Sequence, residues 1–170
     1  AAFDPRTLSP INDAAPIPPN ETEHPHYPLG PVQFRTDRHG YILKAQFSNV
    51  SHATPAVVTR WCQVNDPWGI AYDSGKLYVT ERGLNRISIW AADTPNTHLG
   101  DLIADPTAST LGSINQQDRR WSGAAPTSCR THTIVAPEGL AILDGYAYWG
   151  SFAQAEVRRI PLAGGAVQVV

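Results

Sequence analysis

Few residues of this 170-residue chain stand at spacings that chemistry would use. His24 and His26 form a His-x-His pair, and alternate residues of an extended segment point to one side, as two metal ligands would. No Cys, Asp or third His stands at ligand spacing beside them, so two solvated imidazoles is the favoured reading. Cys129 and His132 lie three residues apart, but catalytic Cys–His pairs are defined by spatial geometry, not by proximity in sequence. Arg119, Arg120 and Trp121 set guanidinium groups beside an indole, the composition of a recognition patch. The alternative is that Trp121 anchors its own loop. Gly-x-Ser-x-Gly, His-Glu-x-x-His, Cys-x-x-Cys and phosphate-loop motifs are missing. Arg158 and Arg159 are expected to pair with carboxylates. Asp73, Asp144 and Glu81 are expected in turns or on solvent-facing strand positions.

The elements that would position such residues are short strands. From Asp66 to Trp90 the chain reads as strand Gly69–Tyr72, turn Asp73–Lys76, strand Leu77–Thr80, a Gly-containing turn, and strand Arg86–Trp90. β-branched and aromatic residues fill the strands, while Gly, Asn and Asp fill the turns. Ala136–Leu162 repeats this pattern. Pro67, Gly69, Gly75 and Tyr78 recur as Pro137, Gly139, Gly145 and Tyr148, and Ile70-Ala71 as Leu140-Ala141, all at an offset of 70. In the third strand Ile87 opposite Val157 is the simplest alignment. A β-meander cannot bury its faces alone, so such self-similarity points to a stacked repeat.

Composition narrows the rest. Apolar residues make up 42% of the chain and charged residues 16%, with a net charge of −2. That balance gives no basic field, so nucleic acid and anionic membrane are not expected as partners. No apolar run approaches the length that spans a bilayer. Eight prolines within residues 1–31 predict an extended arm without helix. Val32–Arg35 and Tyr41–Phe47 flank the turn Asp37–Gly40 and predict a hairpin. Pro55–Trp61 follows as a further, outer strand. Asp105–Thr133 shows little periodicity and reads as a long loop insertion. Cys62 and Cys129 each precede the Pro-x-Gly start of a repeat. If those repeats are neighbours a Cys62–Cys129 disulfide is expected, with buried free thiols as the alternative. Sequons begin at Asn20 and Asn49; two of them, with paired cysteines, point to a secreted glycoprotein.

Pro-Trp-Gly-Ile-Ala, Gly-Lys-Leu-Tyr-Val-Thr and Asn-Arg-Ile-Ser-Ile-Trp together resemble an NHL-type β-propeller blade. The second copy, with Ala147-Tyr148-Trp149-Gly150 and Arg158-Arg159-Ile160-Pro161-Leu162, also resembles YWTD blades. It departs at Gly150-Ser151, where that motif has Thr-Asp, and the first copy departs at Glu81, where NHL blades usually have Asp. The resemblance covers about a third of the chain and implies an all-β propeller. The organisation it suggests is an arm over 1–31, a divergent blade at about 32–61, an NHL-like blade at 62–104, the insertion at 105–133, and an NHL/YWTD-like blade at 134–170. Propellers close with about four to eight blades, so about three leave open edges.

The resemblance also places Trp68 and Glu138, the middle residues of Pro-x-Gly, near the mouth of a central channel. Glu138-Gly139 is similar to the Glu-Gly of the regucalcin and gluconolactonase propellers, which implies a divalent cation such as calcium or zinc held by oxygen ligands from several blades. The favoured expectation is a non-enzymatic, secreted contact module without a cofactor. It would bind a protein partner, or further copies of itself, through blade edges, the Pro-rich arm and the Asp105–Thr133 loop, with Trp68, Arg119, Arg120 and Trp121 as interaction residues. The alternative is a metal-dependent lactonase or lyase with Glu138 as a ligand.

Overall fold

The computed structural model describes residues 32–37, 39–47, 55–114 and 120–170. The Pro-rich arm with His24 and His26, the sequon asparagines Asn20 and Asn49, and Arg119 lie outside the described residues. What is described is an all-β protein of four antiparallel sheets. The first sheet holds β1 (Val32–Asp37), β2 (Tyr41–Phe47) and β3 (Pro55–Gln63). The second holds β4 (Pro67–Asp73), β5 (Lys76–Glu81), β6 (Arg86–Ala91) and β7 (His98–Ala104). A small hairpin of β8 (Gly112–Ile114) and β9 (Trp121–Gly123) follows. The last sheet holds β10 (Pro137–Leu143), β11 (Tyr146–Ser151), β12 (Glu156–Pro161) and β13 (Gln168–Val169). Spatial order equals chain order in each, as short turns between antiparallel strands dictate.

The offset of 70 holds through three strands. Pro67 faces Glu81 as Pro137 faces Ser151, and Glu81 faces Arg86 as Ser151 faces Glu156. Ile87 therefore does stand at the place of Val157. The backbone repeats as well. Asp66 and Ala136 have φ of 44° and 42°, Ser74 and Asp144 48° and 50°, Asn85 and Ala155 49° and 53°. Alanine in this left-handed region is disfavoured by its Cβ, so the turn geometry is imposed by the repeat, not chosen by the local residue.

The first sheet belongs to the same series, but shifted by one strand. Phe34 faces Lys44 and Thr36 faces Ile42, as Tyr78 faces Ile89 and Thr80 faces Ile87. Gly40, at φ 92°, occupies the place of Asn85. Its carbonyl accepts from Val64 N as that of Asn85 accepts from Asp105 N. β1, β2 and β3 thus match β5, β6 and β7, and among the described residues the first sheet has no counterpart of β4. The predicted hairpin and outer strand are present, the latter running on to Gln63.

Sheets stack through alternate faces. Phe34 and Ile42 of the first sheet pack with Ile70, Leu77, Val79 and Trp90 of the second. Tyr78 and Ile87, on the opposite face of the second, pack with Ala147, Trp149 and Ile160 of the last. β4 lies beside both β1 and β10. Each fully buried large side chain contributes about 1.5–3 kcal/mol relative to exposure, so these two layers dominate the core.

The insertion is not structureless. It contains a 3-10 turn at Pro106–Thr110, the β8–β9 hairpin and one helical turn, α1 (Pro126–Cys129). Ala108, Cys129, Val135, Ala136 and Ala153 give it a small core of its own. Its low periodicity reflects elements of only three to five residues, too short to show a period. The expected disulfide does not form either: Cys62 and Cys129 are both free and buried. Cys62 belongs to the layer between the first and second sheets and Cys129 to the core of the insertion, so separate packing replaces the expected pairing.

Candidate functional site

The lead-ins of β4 and β10 converge on one side chain that composition and spacing did not single out. Arg82 opens the 3-10 turn after β5 and is 3% exposed. Its guanidinium lies over the Trp68 ring, with Cζ 4.5 Å from the centroid. Nε and Nη2 donate to the two carboxylate oxygens of Asp66 at 3.2 and 2.9 Å. Nη1 stands 3.5 Å from Glu138 Oε1, within ion-pair distance but without a hydrogen bond. Gly83 lets the turn close on Asn65, since a Cβ there would collide with Asn65 Oδ1. Trp68 and Glu138 are thus brought to one cation, Trp68 by its ring and Glu138 by its carboxylate.

This arrangement does not fit a divalent metal at Glu138. A cation on that carboxylate would face a fixed guanidinium. Among the described residues no group of three or more His, Cys, Asp or Glu is placed to hold an ion. A hard cation needs several converging oxygens, and the neighbouring carboxylate, Asp66, is already engaged in a two-point pair with Arg82.

Beneath this cluster the backbones are joined by side chains. Thr36 Oγ1 donates to Trp68 O at 3.0 Å. At the equivalent place Thr80 Oγ1 donates to Glu138 O at 2.7 Å and accepts from Gly69 N at 2.7 Å. Asn85 Oδ1 accepts from Ala136 N at 2.8 Å. Glu81, expected to face solvent, is instead fully buried. It accepts from Asn65 N at 2.6 Å and pairs with Arg86 at 2.8 Å. Because β5 ends where β4 begins, its last residue faces the lead-in and not the water. Part of the signal was in the sequence, where Glu81 and Ser151 both carry an oxygen at the offset of 70; the register adds Asp37 at the same position.

The insertion is tied at both ends. Asp105 Oδ2 accepts from Thr133 N at 3.1 Å and meets His132 Nδ1 at 3.1 Å. Burial disfavours the Asp105 carboxylate, but bonds from Thr107, Thr133 and His132 outweigh it and hold its pKa below the ordinary value. Arg158, 5% exposed, pairs with Glu156 at 2.7 Å and donates to the carbonyls of Arg130, His132 and Thr133. Trp121 is half-buried against the insertion's core, its Nε1 donating to Ala124 O at 2.8 Å, while Arg120 is exposed. Burial pushes both thiols up, so Cys62 and Cys129 are protonated and shielded. Among the described residues no helix is long and apolar enough to cross a membrane.

No family model matches the chain, and no curated protein matches it.

Proposed function

We propose that this chain is a propeller-type segment of the NHL/YWTD kind that acts by contact, as a protein-interaction or assembly module. The repeated register, the side-by-side first strands β4 and β10, and the alternate-face layers support the propeller reading. One observation carries the contact reading. Val157 is 49% exposed, whereas Ile87, the same position one repeat earlier, is 0% exposed. The last sheet therefore ends on a face of the type that the second sheet buries. Arg82 opposes the metal-enzyme reading, because it occupies the place a cation would take beside Glu138.

The sequons at Asn20 and Asn49 support a secreted protein; with both thiols free, they alone carry that part. Enzymatic deglycosylation of protein from a eukaryotic secretory host tests it, and a mass unchanged by the treatment overturns it.

Light scattering of the native particle tests the contact reading. The expected result is a mass above the 18.5 kDa of one chain, reduced by Val157→Glu. A particle that stays at single-chain mass with and without Val157→Glu overturns it.

A further inference from the structure

We infer that the Pro-rich arm, residues 1–31, folds back across the outer face of the first sheet and caps that end of the molecule. The arm thereby acts within the chain, whether or not the last sheet binds a partner.

The face is the one turned away from the second sheet. Ile42 packs into the layer with the second sheet, and Lys44 lies over the Trp61 ring of that layer. Leu43 and Ala45 alternate with them and so point the other way. Leu43 faces Arg35 and Arg60 across the strands, and Ala45 faces Gln33 and Val58. Arg35 is 6% exposed, Leu43 4% and Ala45 1%. Neighbouring strands shield a side chain only from its flanks: Leu143 and Val157, each with a strand beside it, stay 61% and 49% exposed. Something therefore lies over Leu43 and Ala45. Among the described residues, the apolar side chain packed on Ala45 is Val58, from the same sheet.

The arm is the stretch that fits. Residues 48–54 join β2 to β3, so both of their ends are fixed beyond Phe47. Seven residues anchored in this way reach back over about 12 Å at most, whereas Asp37, buried on the same face, lies about 20 Å from Phe47 along the strand. Residues 115–119 belong to the β8–β9 hairpin, which follows the second sheet. Residues 1–31 lead straight into β1. At about 3.1 Å per residue an extended arm of that length spans roughly 95 Å. The face measures roughly 20 by 10 Å, so the arm suffices to cover it.

Its chemistry suits a face better than an edge. A covering backbone must leave no buried amide unmet, and each of its eight prolines removes one N–H. Phe3, Leu8, Ile11 and Ile17 supply apolar matter for Leu43 and Ala45. The arm is acidic, with Asp4, Asp13, Glu21 and Glu23 against the single base Arg6. The face carries two guanidinium groups, Arg35 and Arg60, the latter with Cζ 4.2 Å from the Tyr41 centroid. Opposite charges thus meet across the contact.

The test places a photoreactive benzophenone side chain at Val58 of the full chain. Heavy-isotope-labelled and unlabelled chains are mixed in equal parts, irradiated and mapped by mass spectrometry. The expected product joins Val58 to residues 1–31 of the same isotope. Crosslinks to residues 48–54, or none, overturn the inference. Products of mixed isotope assign the face to a second copy and overturn it as well. A second variant, Ala45→Cys, guards against a probe that disturbs folding, and both native thiols are buried and leave the new one as the reporter. Changing Phe3, Leu8, Ile11 and Ile17 to Ser should speed its alkylation by roughly tenfold or more, as local cover is lost. An unchanged rate overturns the inference. None of these outcomes touches the last sheet, so the contact reading stands or falls separately by light scattering.

Discussion

Thr80 shows how much one hydroxyl couples, since it accepts from Gly69 within the second sheet and donates to Glu138 in the next. Thr80→Val should cost about 1–3 kcal/mol, because the isostere leaves a buried donor and acceptor unmet. Thr36→Val should cost about 1 kcal/mol, and the two should add, being in different layers. Urea denaturation of the single and double variants measures this; a neutral Thr80→Val would sink the joining role. Glu81→Ala should cost about 1–3 kcal/mol, since it leaves the Asn65 amide unmet and takes from Arg86 the closer of its two carboxylates, with Asp101 remaining at 3.4 Å. At this scale the sequence was only partly legible. Types and spacing identified Trp68 and Glu138 as equivalents but not Arg82 between them, because that contact needs the turn after β5 to fold back on the lead-in. The mispredicted disulfide has the same origin. Equivalent positions in sequence do not fix distance when a separate core of the insertion claims Cys129. Both thiols are expected to resist alkylation in the native protein and to react, two per chain, on denaturation.

Among the elements, the insertion has its two ends joined through one carboxylate, Asp105. Asp105 has a folded-state pKa below its unfolded value, so it releases its proton more readily when folded. Its contribution is therefore complete above the ordinary carboxylate range and is lost as the pH falls through the folded-state pKa. The Thr133 amide should report this directly by a shift that titrates with Asp105 and vanishes in Asp105→Ala. A Thr133 signal indifferent to the variant would remove Asp105 from that role. Strand elements were far more legible than the insertion. Period-two alternation and Gly-bearing turns mark β4 to β6 and β10 to β12, whereas β8, β9 and α1 span three or four residues each and leave no pattern to read.

For the whole molecule, the offset of 70 was visible because no gap interrupts it. The first sheet's membership in the series was not. Its turn is one residue shorter, and Val32–Asp37 shares only Thr36 with Lys76–Glu81 in identity, so register and not sequence reveals the match. The stacking makes a paired prediction. Gly69→Ala should destabilise by about 1–3 kcal/mol through overpacking against Leu140, whereas Gly139→Ala should stay within about 0.5 kcal/mol. Thermal denaturation of the two variants compares them, and equal effects would contradict the unequal cover of the two positions. The joining bonds also have a direction. Thr36, Thr80 and Asn85 all sit on an earlier sheet and reach forward to the lead-in of a later one. Each sheet is thus a template, and its successor the client that completes itself against it. A ribosome releases the amino-terminal part first, so every template is in place before its client emerges. Losing a client exposes one face, while losing a template leaves the client's lead-in carbonyls and amides with no partner waiting for them.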